Sequence, residues 1–169
     1  MDTKSKISIV ANAILNTFQN EAAVVYGMDT EFCEGERFAR TLQTSLPRLN
    51  GKDFKVKIFD FNAAGIHTSS DLPAQLRRML MSKKFIPTER LVGGDCKKLL
   101  PYGVHIVRWI ELRGMSLAAA PNLTGTSIKD LAETFLCGTI DKHRQTADYT
   151  QKPLPRNLQE YAALDALVS

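Results

Sequence analysis

Segments with the apolar spacing of helices alternate along this chain with short runs typical of strands, and this alternation constrains the fold more than any other feature. Four segments have helical spacing of apolar residues: 7–18, 72–80, 128–136 and 157–169. Four shorter runs have the composition of buried or alternating strands: 23–28, 55–61, 91–92 and 104–110. Strands that alternate with helices predict one α/β domain.

Capping residues predict where several helices begin or end. Ser127 and Asp130 resemble a capping box, and Gly138 predicts the end of the same helix. Pro73 suits the first turn of the helix before it. Another helix is expected to start after Asp95, behind two glycines.

Three stretches lack a regular pattern. Residues 35–51 are polar and predict either a strand of low regularity or a long loop, whereas residues 118–125 predict a loop. Residues 142–156 form a basic connector interrupted by proline. Because no internal repeat or interdomain linker is visible, we expect residues 1–169 to form a single domain.

Composition narrows the class of protein. With 169 residues, 44% of them hydrophobic, the chain can bury a full core. No apolar run approaches the roughly 20 residues that a membrane span needs, so we expect no membrane association. The 22 Lys and Arg residues exceed the 18 Asp and Glu residues, and the net charge of +4 favours a polyanionic partner.

The number and spacing of the cysteines indicate the cellular compartment of the protein. Cys33, Cys96 and Cys137 are odd in number and far apart, which matches neither a disulfide framework nor paired zinc ligands. The N-terminal segment also lacks the continuous apolar core of a secretory signal. We therefore predict reduced thiols in an intracellular protein, nuclear or cytoplasmic.

Two carboxylates follow the first predicted strand. Asp29 and Glu31 are two residues apart, and because strand side chains alternate, both point to the same face. Two adjacent anions in an apolar setting repel each other, and a divalent cation such as Mg²⁺ removes that repulsion. A solvated turn is the ordinary alternative for this pair.

Two further motifs lie later in the chain. Tyr161 and Asp165 have the i, i+4 spacing that brings a phenol and a carboxylate to one helix face. Asp95 follows Gly93-Gly94 at the predicted start of a helix. Taken alone, Tyr161 and Asp165 are more typical of a core tyrosine hydrogen-bonded to a helix acid. Asp95 taken alone is more typical of an N-cap aspartate.

Together the three motifs, in this order, resemble those of the DEDDy 3′–5′ exonucleases, a family that includes ribonuclease D and the Werner-syndrome exonuclease domain. The likeness extends to Ser127-Ile128-Lys129-Asp130-Leu131-Ala132, to Asp141-Lys142 and to Gln159-Glu160-Tyr161-Ala162-Ala163-Leu164-Asp165-Ala166. It covers about residues 22–169. Tyr161, four residues before the last Asp, places the chain in the tyrosine branch rather than the histidine branch.

The resemblance implies a ribonuclease H-like fold, with a mixed central sheet flanked by helices and its first three strands antiparallel. It also implies two divalent ions, Mg²⁺ or Mn²⁺, at the edge of the sheet. Asp29 would bridge both ions, Glu31 and Asp165 would complete the site near the attacking water, and Asp95 would hold the second ion directly or through water. Tyr161 would orient the nucleophile.

Substrate contacts are implied by the same resemblance. Thr30 and Phe32 would contact the terminal nucleotide, with Phe32 stacking on its base. Lys142, His143 and Arg144 precede the last helix and can follow a phosphate backbone, although such a charge run is as typical of a solvated face. The expected partner is single-stranded or 3′-overhanging RNA or DNA.

Three functions remain open at this point. The first is an active metal-dependent exonuclease that releases nucleoside 5′-monophosphates, and the second is a non-catalytic nucleic-acid- or protein-binding module on the same fold. The third is a ribonuclease H-like endonuclease, which would share the acids. Retention of all five motif residues favours the first. Since Ser169 comes four residues after Asp165, where relatives continue the helix, we expect a domain truncated just after the third motif or one module of a longer protein or complex.

Overall fold

The computed structural model describes residues 3–33, 35–48, 53–89, 94–144 and 147–169. Within these residues, five strands form one sheet in the order β3-β2-β1-β4-β5. The strands are β1 Val24–Glu31, β2 Thr41–Pro47, β3 Phe54–Asp60, β4 Phe85–Glu89 and β5 Ile110–Glu111. Strand β2 pairs antiparallel with both β1 and β3, whereas β4 pairs in parallel with β1 and β5 pairs in parallel with β4. This mixed sheet confirms the predicted architecture.

Six helices pack around this sheet in the described part of the chain. They are α1 Thr3–Thr17, α2 Ala74–Leu80, α3 Gly94–Leu99, α4 Leu112–Ala119, α5 Ile128–Leu136 and α6 Arg156–Val168. Four of them, α1, α2, α5 and α6, lie where the apolar spacing predicts. Short 3₁₀ turns cover Leu100–Tyr102 and Lys142–Arg144. Helix α1 packs against α2, and α6 packs across β1, β2 and β3. Among the described helices, none has the length and apolarity that a membrane crossing requires.

Two apolar clusters hold the elements together. The larger surrounds the sheet and α1, where Phe85 makes edge-to-face contacts with Phe18 and Tyr26. The smaller joins α5 to α6 and includes Tyr149 and Tyr161. The second cluster therefore anchors the helix that carries Asp165.

Strand β2 is more regular than its sequence predicts. Residues 41–47 pair along their whole length with β3, and Gln43 and Thr44 are fully buried. Because the buried side chains of this strand are largely polar, the sequence lacks the pattern of apolar residues on which strand prediction depends. The alternative of a long loop over 35–51 is therefore wrong for this part of the segment.

The parallel side of the sheet also differs from the prediction. Residues 104–109 form no strand, because pairing with β4 begins only at Ile110, opposite Thr88. Val107 and Trp109 are exposed there. The strand before Asp95 lies at Phe85–Glu89, and the predicted residues 91–92 lie outside the described part of the chain.

The sequence patterns missed one helix and misplaced the end of another. Helix α4 was not predicted; it reaches Ala119, inside the predicted loop, and begins where the Glu111 carboxylate accepts hydrogen bonds from the backbone of Arg113 and Gly114. Helix α5 has the predicted capping box but ends at Cys137, which is the left-handed residue with φ of 52°. Gly138 instead donates its N–H to the carbonyl of Ala132.

Candidate active site

Carboxylates from one strand and one helix converge at the end of the central strand β1. Asp29 and Glu31 lie on the same face of β1, and α6 packs across this part of the sheet and carries Asp165. Carboxylate oxygens of the three residues lie within 4.8 Å of one another. The structure thus brings three of the four acids singled out in the sequence into one cluster.

A glycine in β1 makes this convergence possible. A Cβ atom on Gly27 would lie 2.0 Å from the carbonyl oxygen of Ala166. Any larger residue would therefore push α6 away from the strand. Since Ala166 follows Asp165, the same close approach sets the position of the Asp165 carboxylate.

Asp95 lies beside the cluster and is held by Thr30. The Oδ1 atom of Asp95 accepts hydrogen bonds from the Thr30 hydroxyl at 2.6 Å and from the Thr30 backbone N–H at 3.2 Å. Thr30 is almost fully buried. In this structure Thr30 therefore orients an acid of the site, a role that the sequence interpretation, which assigned it to substrate, did not include.

Burial and mutual repulsion raise the proton affinity of these acids. The pKa of Asp29 is raised well above its usual range, chiefly by burial and then by the charges of Asp95 and Glu31. Burial, followed by the charge of Asp165, raises the pKa of Glu31 to about 8. Burial also raises the pKa of Asp95, against the hydrogen bonds from Thr30. The cluster is thus a strong attractor of positive charge.

Lys142 supplies positive charge to the cluster. Its Nζ lies 3.3 Å from Oδ2 of Asp165 and 5.9 Å from the ring centre of Tyr161. The two neighbouring basic residues lie elsewhere: His143 is exposed, and Arg144 donates a hydrogen bond to the carbonyl of Asn157. Of the predicted basic substrate contacts, the structure brings only Lys142 to the acids.

Two buried tyrosines border the acids. The hydroxyl of Tyr161 lies beside the carboxylate of Asp165, and that of Tyr149 lies beside the carboxylate of Glu31. Burial raises the pKa of both phenols, and the hydrogen bonding and negative charge of Asp165 at Tyr161 and of Glu31 at Tyr149 raise it further. Both hydroxyls therefore stay protonated and can donate hydrogen bonds. Tyr149 is not among the site residues predicted from the sequence.

Phe32 follows the end of β1, and its side chain is partly exposed, which base stacking requires. One face of its ring is covered by the side chain of Lys98. The ammonium of Lys98 lies 3.4 Å from the ring centre of Phe32 and donates a hydrogen bond to the carbonyl of Glu36 at 2.6 Å. Lys98 lies on α3, three residues after Asp95. That spacing could have been read from the sequence, whereas the contact with Phe32 could not.

The donor set fits a hard divalent cation. All ligand atoms that the cluster offers are carboxylate oxygens, which Mg²⁺ and Mn²⁺ prefer over softer ligands. A divalent ion would also offset the repulsion that raises the pKa values of Asp29 and Glu31. The acids Asp29, Glu31 and Asp165 are therefore the candidate metal ligands, with Asp95 close by.

The raised pKa values predict an unusual pH dependence of stability. Because the pKa of Glu31 rises from 4.5 to about 8 on folding, its protonation contributes stability that is complete below pH 4.5 and is lost as the pH rises through 8. In a chelating buffer, we expect the free energy of unfolding to fall by on the order of 2 kcal/mol between pH 5 and pH 8. Urea denaturation at both pH values measures this change.

Two controls sharpen that measurement. Glu31→Gln should flatten the pH dependence, and Mn²⁺ should stabilise the wild-type protein more at pH 8 than at pH 5, since metal and proton compete for the carboxylates. Stability in chelator that is constant or rises between pH 5 and pH 8 would contradict the electrostatic description.

A mixed sheet with a cluster of carboxylates at the end of its central strand is typical of one class of protein, the metal-dependent nucleases. The family is shown by sequence. A profile of the 3′–5′ exonuclease domain matches residues 7–169, and the chain belongs to this family. No curated protein sequence matches the chain significantly.

Solved structures support the same fold. Escherichia coli RNase D, described as an exoribonuclease involved in structured RNA processing, superposes with a TM-score of 0.68 and 18% identity over 95% of this chain. The catalytic core of Trypanosoma brucei RRP6 gives a TM-score of 0.67 and 18% identity over 99% of the chain. The EXD2 exonuclease domain soaked in Mn gives a TM-score of 0.53 and 22% identity over 98% of the chain.

The lengths of these neighbours differ from that of this chain. The chain covers 39% of the RNase D chain, 44% of the RRP6 core and 81% of the EXD2 domain. The chain therefore spans less than half of the RNase D and RRP6 chains.

Proposed function

We propose that this domain is a metal-dependent 3′–5′ exonuclease that hydrolyses phosphodiester bonds at the 3′ end of RNA or DNA and releases nucleoside 5′-monophosphates. The observation that carries the proposal is the convergence of Asp29, Glu31 and Asp165, whose carboxylate oxygens lie within 4.8 Å of one another. Membership of the 3′–5′ exonuclease family supports the reaction type. Its neighbour EXD2, soaked in Mn, supports the choice of cation.

The metal-binding roles follow from the positions of the acids. Asp29, Glu31 and Asp165 would hold the ions, and Asp95, oriented by Thr30, would reach the second ion directly or through water. Ions held by these carboxylates would supply an activated water and would stabilise the attacking and leaving oxygens of an in-line displacement. Four carboxylates would offset most of the charge of two such ions.

Tyr161 acts as a hydrogen-bond donor in this proposal. Its hydroxyl is buried beside the carboxylate of Asp165 and belongs to a phenol whose raised pKa keeps it protonated. A donor at this point orients the attacking water so that its lone pair faces the phosphorus. The one-turn spacing from Asp165 places the phenol on the helix face that carries the metal ligand.

Substrate binding would use the rim of the site. The exposed face of Phe32 stacks on the terminal base, and Lys142 contacts a phosphate, while Thr30 acts through Asp95. His143 and Arg144 lie farther along the connector and would follow the backbone upstream. Single-stranded or 3′-overhanging ends fit this arrangement, because one strand must enter the site end first.

Product analysis tests the proposal. A 5′-labelled oligonucleotide incubated with Mg²⁺ or Mn²⁺ should give a ladder of shortened products together with free nucleoside 5′-monophosphates, and EDTA should stop the reaction. A 3′-blocked oligonucleotide should be degraded more slowly, and a circular one should stay intact. Matched RNA and DNA substrates then identify the preferred nucleic acid. Cleavage of the circle would indicate an endonuclease, and binding without any product would indicate a non-catalytic module.

A further inference from the structure

A single ammonium group spans both carboxylate oxygens of Asp165. Nζ of Lys142 lies 3.4 Å from Oδ1 and 3.3 Å from Oδ2 of that residue. The side chain of Lys142 is 33% exposed and that of Asp165 is 10% exposed. The lysine is therefore the more accessible partner of a half-buried ion pair.

The same ammonium influences the other acids of the cluster. Its charge lowers the pKa values of Asp29 and Glu31, against the burial that raises them. It also lies over the ring of Tyr161, at 5.9 Å from the ring centre. Lys142 is thus a counter-ion to the cluster as a whole as well as to Asp165.

A divalent cation at Asp165 would meet this ammonium directly. Mg²⁺ binds carboxylate oxygens at 2.0–2.1 Å. The ammonium of Lys142 already faces both carboxylate oxygens of Asp165, so a metal ion bound to either oxygen would meet that positive charge within a few ångströms. A metal ion and the ammonium therefore compete for the same two oxygens of Asp165.

We propose that Lys142 is an internal counter-ion that competes with the divalent cation for Asp165 and, once displaced, binds the phosphate of the terminal nucleotide. The inference rests on the proposed metal-dependent function. It makes Lys142 a positioning residue whose ammonium changes its ionic partner from the carboxylate of Asp165 to a phosphate of the substrate. A lysine suits this exchange because its charge is compact and its four-carbon stem is flexible. The exchange links occupancy of the metal site to substrate binding.

Calorimetric titration tests the exchange with two ligands. Lys142→Met should bind Mn²⁺ roughly two- to fivefold more tightly than wild type, since the competing charge is gone. With Mn²⁺ saturating, the same variant should bind a nucleoside 5′-monophosphate more weakly by a similar factor. The two effects have opposite signs, whereas damage to the fold would weaken the binding of both ligands.

Two further variants serve as controls. Lys142→Arg keeps the charge and should bind Mn²⁺ about as weakly as wild type while retaining most of the nucleotide affinity. Lys129→Met removes a charge that pairs at 3.8 Å with Glu133 on α5, and should change neither affinity. Melting curves of each variant in chelator confirm that it is folded.

The proposal is overturned if Lys142→Met binds Mn²⁺ no more tightly than wild type, if its affinity for the nucleotide is unchanged, or if neither protein binds Mn²⁺. These outcomes are separate from those of the nuclease assay. Opposite shifts in the two affinities without any degradation of oligonucleotides would retain the exchange and contradict the proposed enzymatic function.

Discussion

Replacing Asp29 with asparagine is expected to lower the rate of nucleotide release by about 10³-fold or more, because the residue proposed to bridge both metal ions would lose its charge. The same substitution should raise the melting temperature in chelator. Asp29 is partly buried among like charges, and desolvation together with their repulsion raises its pKa, so the neutral amide relieves both costs in the folded state. Initial rates on a 5′-labelled oligonucleotide and melting curves in EDTA measure the two effects.

The combination of lower activity and higher stability is the distinguishing result. Glu133→Gln is a matched control, since it also removes one negative charge but lies on the exposed surface of α5, where no change in rate is expected. Asp29→Asn protein that degrades the oligonucleotide at the wild-type rate would rule out the assigned site. A variant that is inactive and also much less stable would show that Asp29 supports the fold rather than the chemistry.

Replacing Gly27 with alanine is expected to have the largest effect on stability. The added methyl group would lie 2.0 Å from the carbonyl oxygen of Ala166, and a backbone atom cannot move aside without moving α6. We expect a loss of about 3 kcal/mol in the free energy of unfolding, or roughly 10 °C in melting temperature. Activity should fall as well, because Asp165 moves with the helix.

Gly138→Ala is the control for this substitution. A Cβ on Gly138 would come no closer than 3.9 Å to its nearest neighbour, and the residue does not have a positive φ, so stability should be almost unchanged. Urea denaturation of the two variants side by side gives the comparison. Wild-type stability and activity in Gly27→Ala would contradict the packing of α6 described above.

The convergence of the acids was predictable because each lies in an element with a clear sequence pattern. Asp29 and Glu31 end an apolar run, and Asp165 is one turn after Tyr161 on an amphipathic helix. Strand β2 was less predictable, since its buried side chains are mostly polar, and Gln43, Thr44 and Ser45 each leave a side-chain oxygen without a partner in the described structure. Pattern-based prediction has no signal for polar residues that the fold buries.

Contacts between distant segments were out of reach of the sequence. Thr30 and Asp95 are 65 positions apart, and nothing local indicates that the Thr30 hydroxyl orients that carboxylate. The three basic residues from Lys142 to Arg144 were indistinguishable in sequence. Only the arrangement of the connector against α6 shows that Lys142 faces Asp165 while Arg144 binds a backbone carbonyl of the helix.

Anomalous diffraction from crystals soaked in Mn²⁺ tests the metal site most directly. We expect two peaks about 3.5–4 Å apart, one among the carboxylates of Asp29, Glu31 and Asp165, and one between Asp29 and Asp95. In the same crystals the ammonium of Lys142 should have moved away from Asp165. Manganese bound elsewhere on the protein, with these four carboxylates free of it, would contradict the proposed metal-dependent nuclease site.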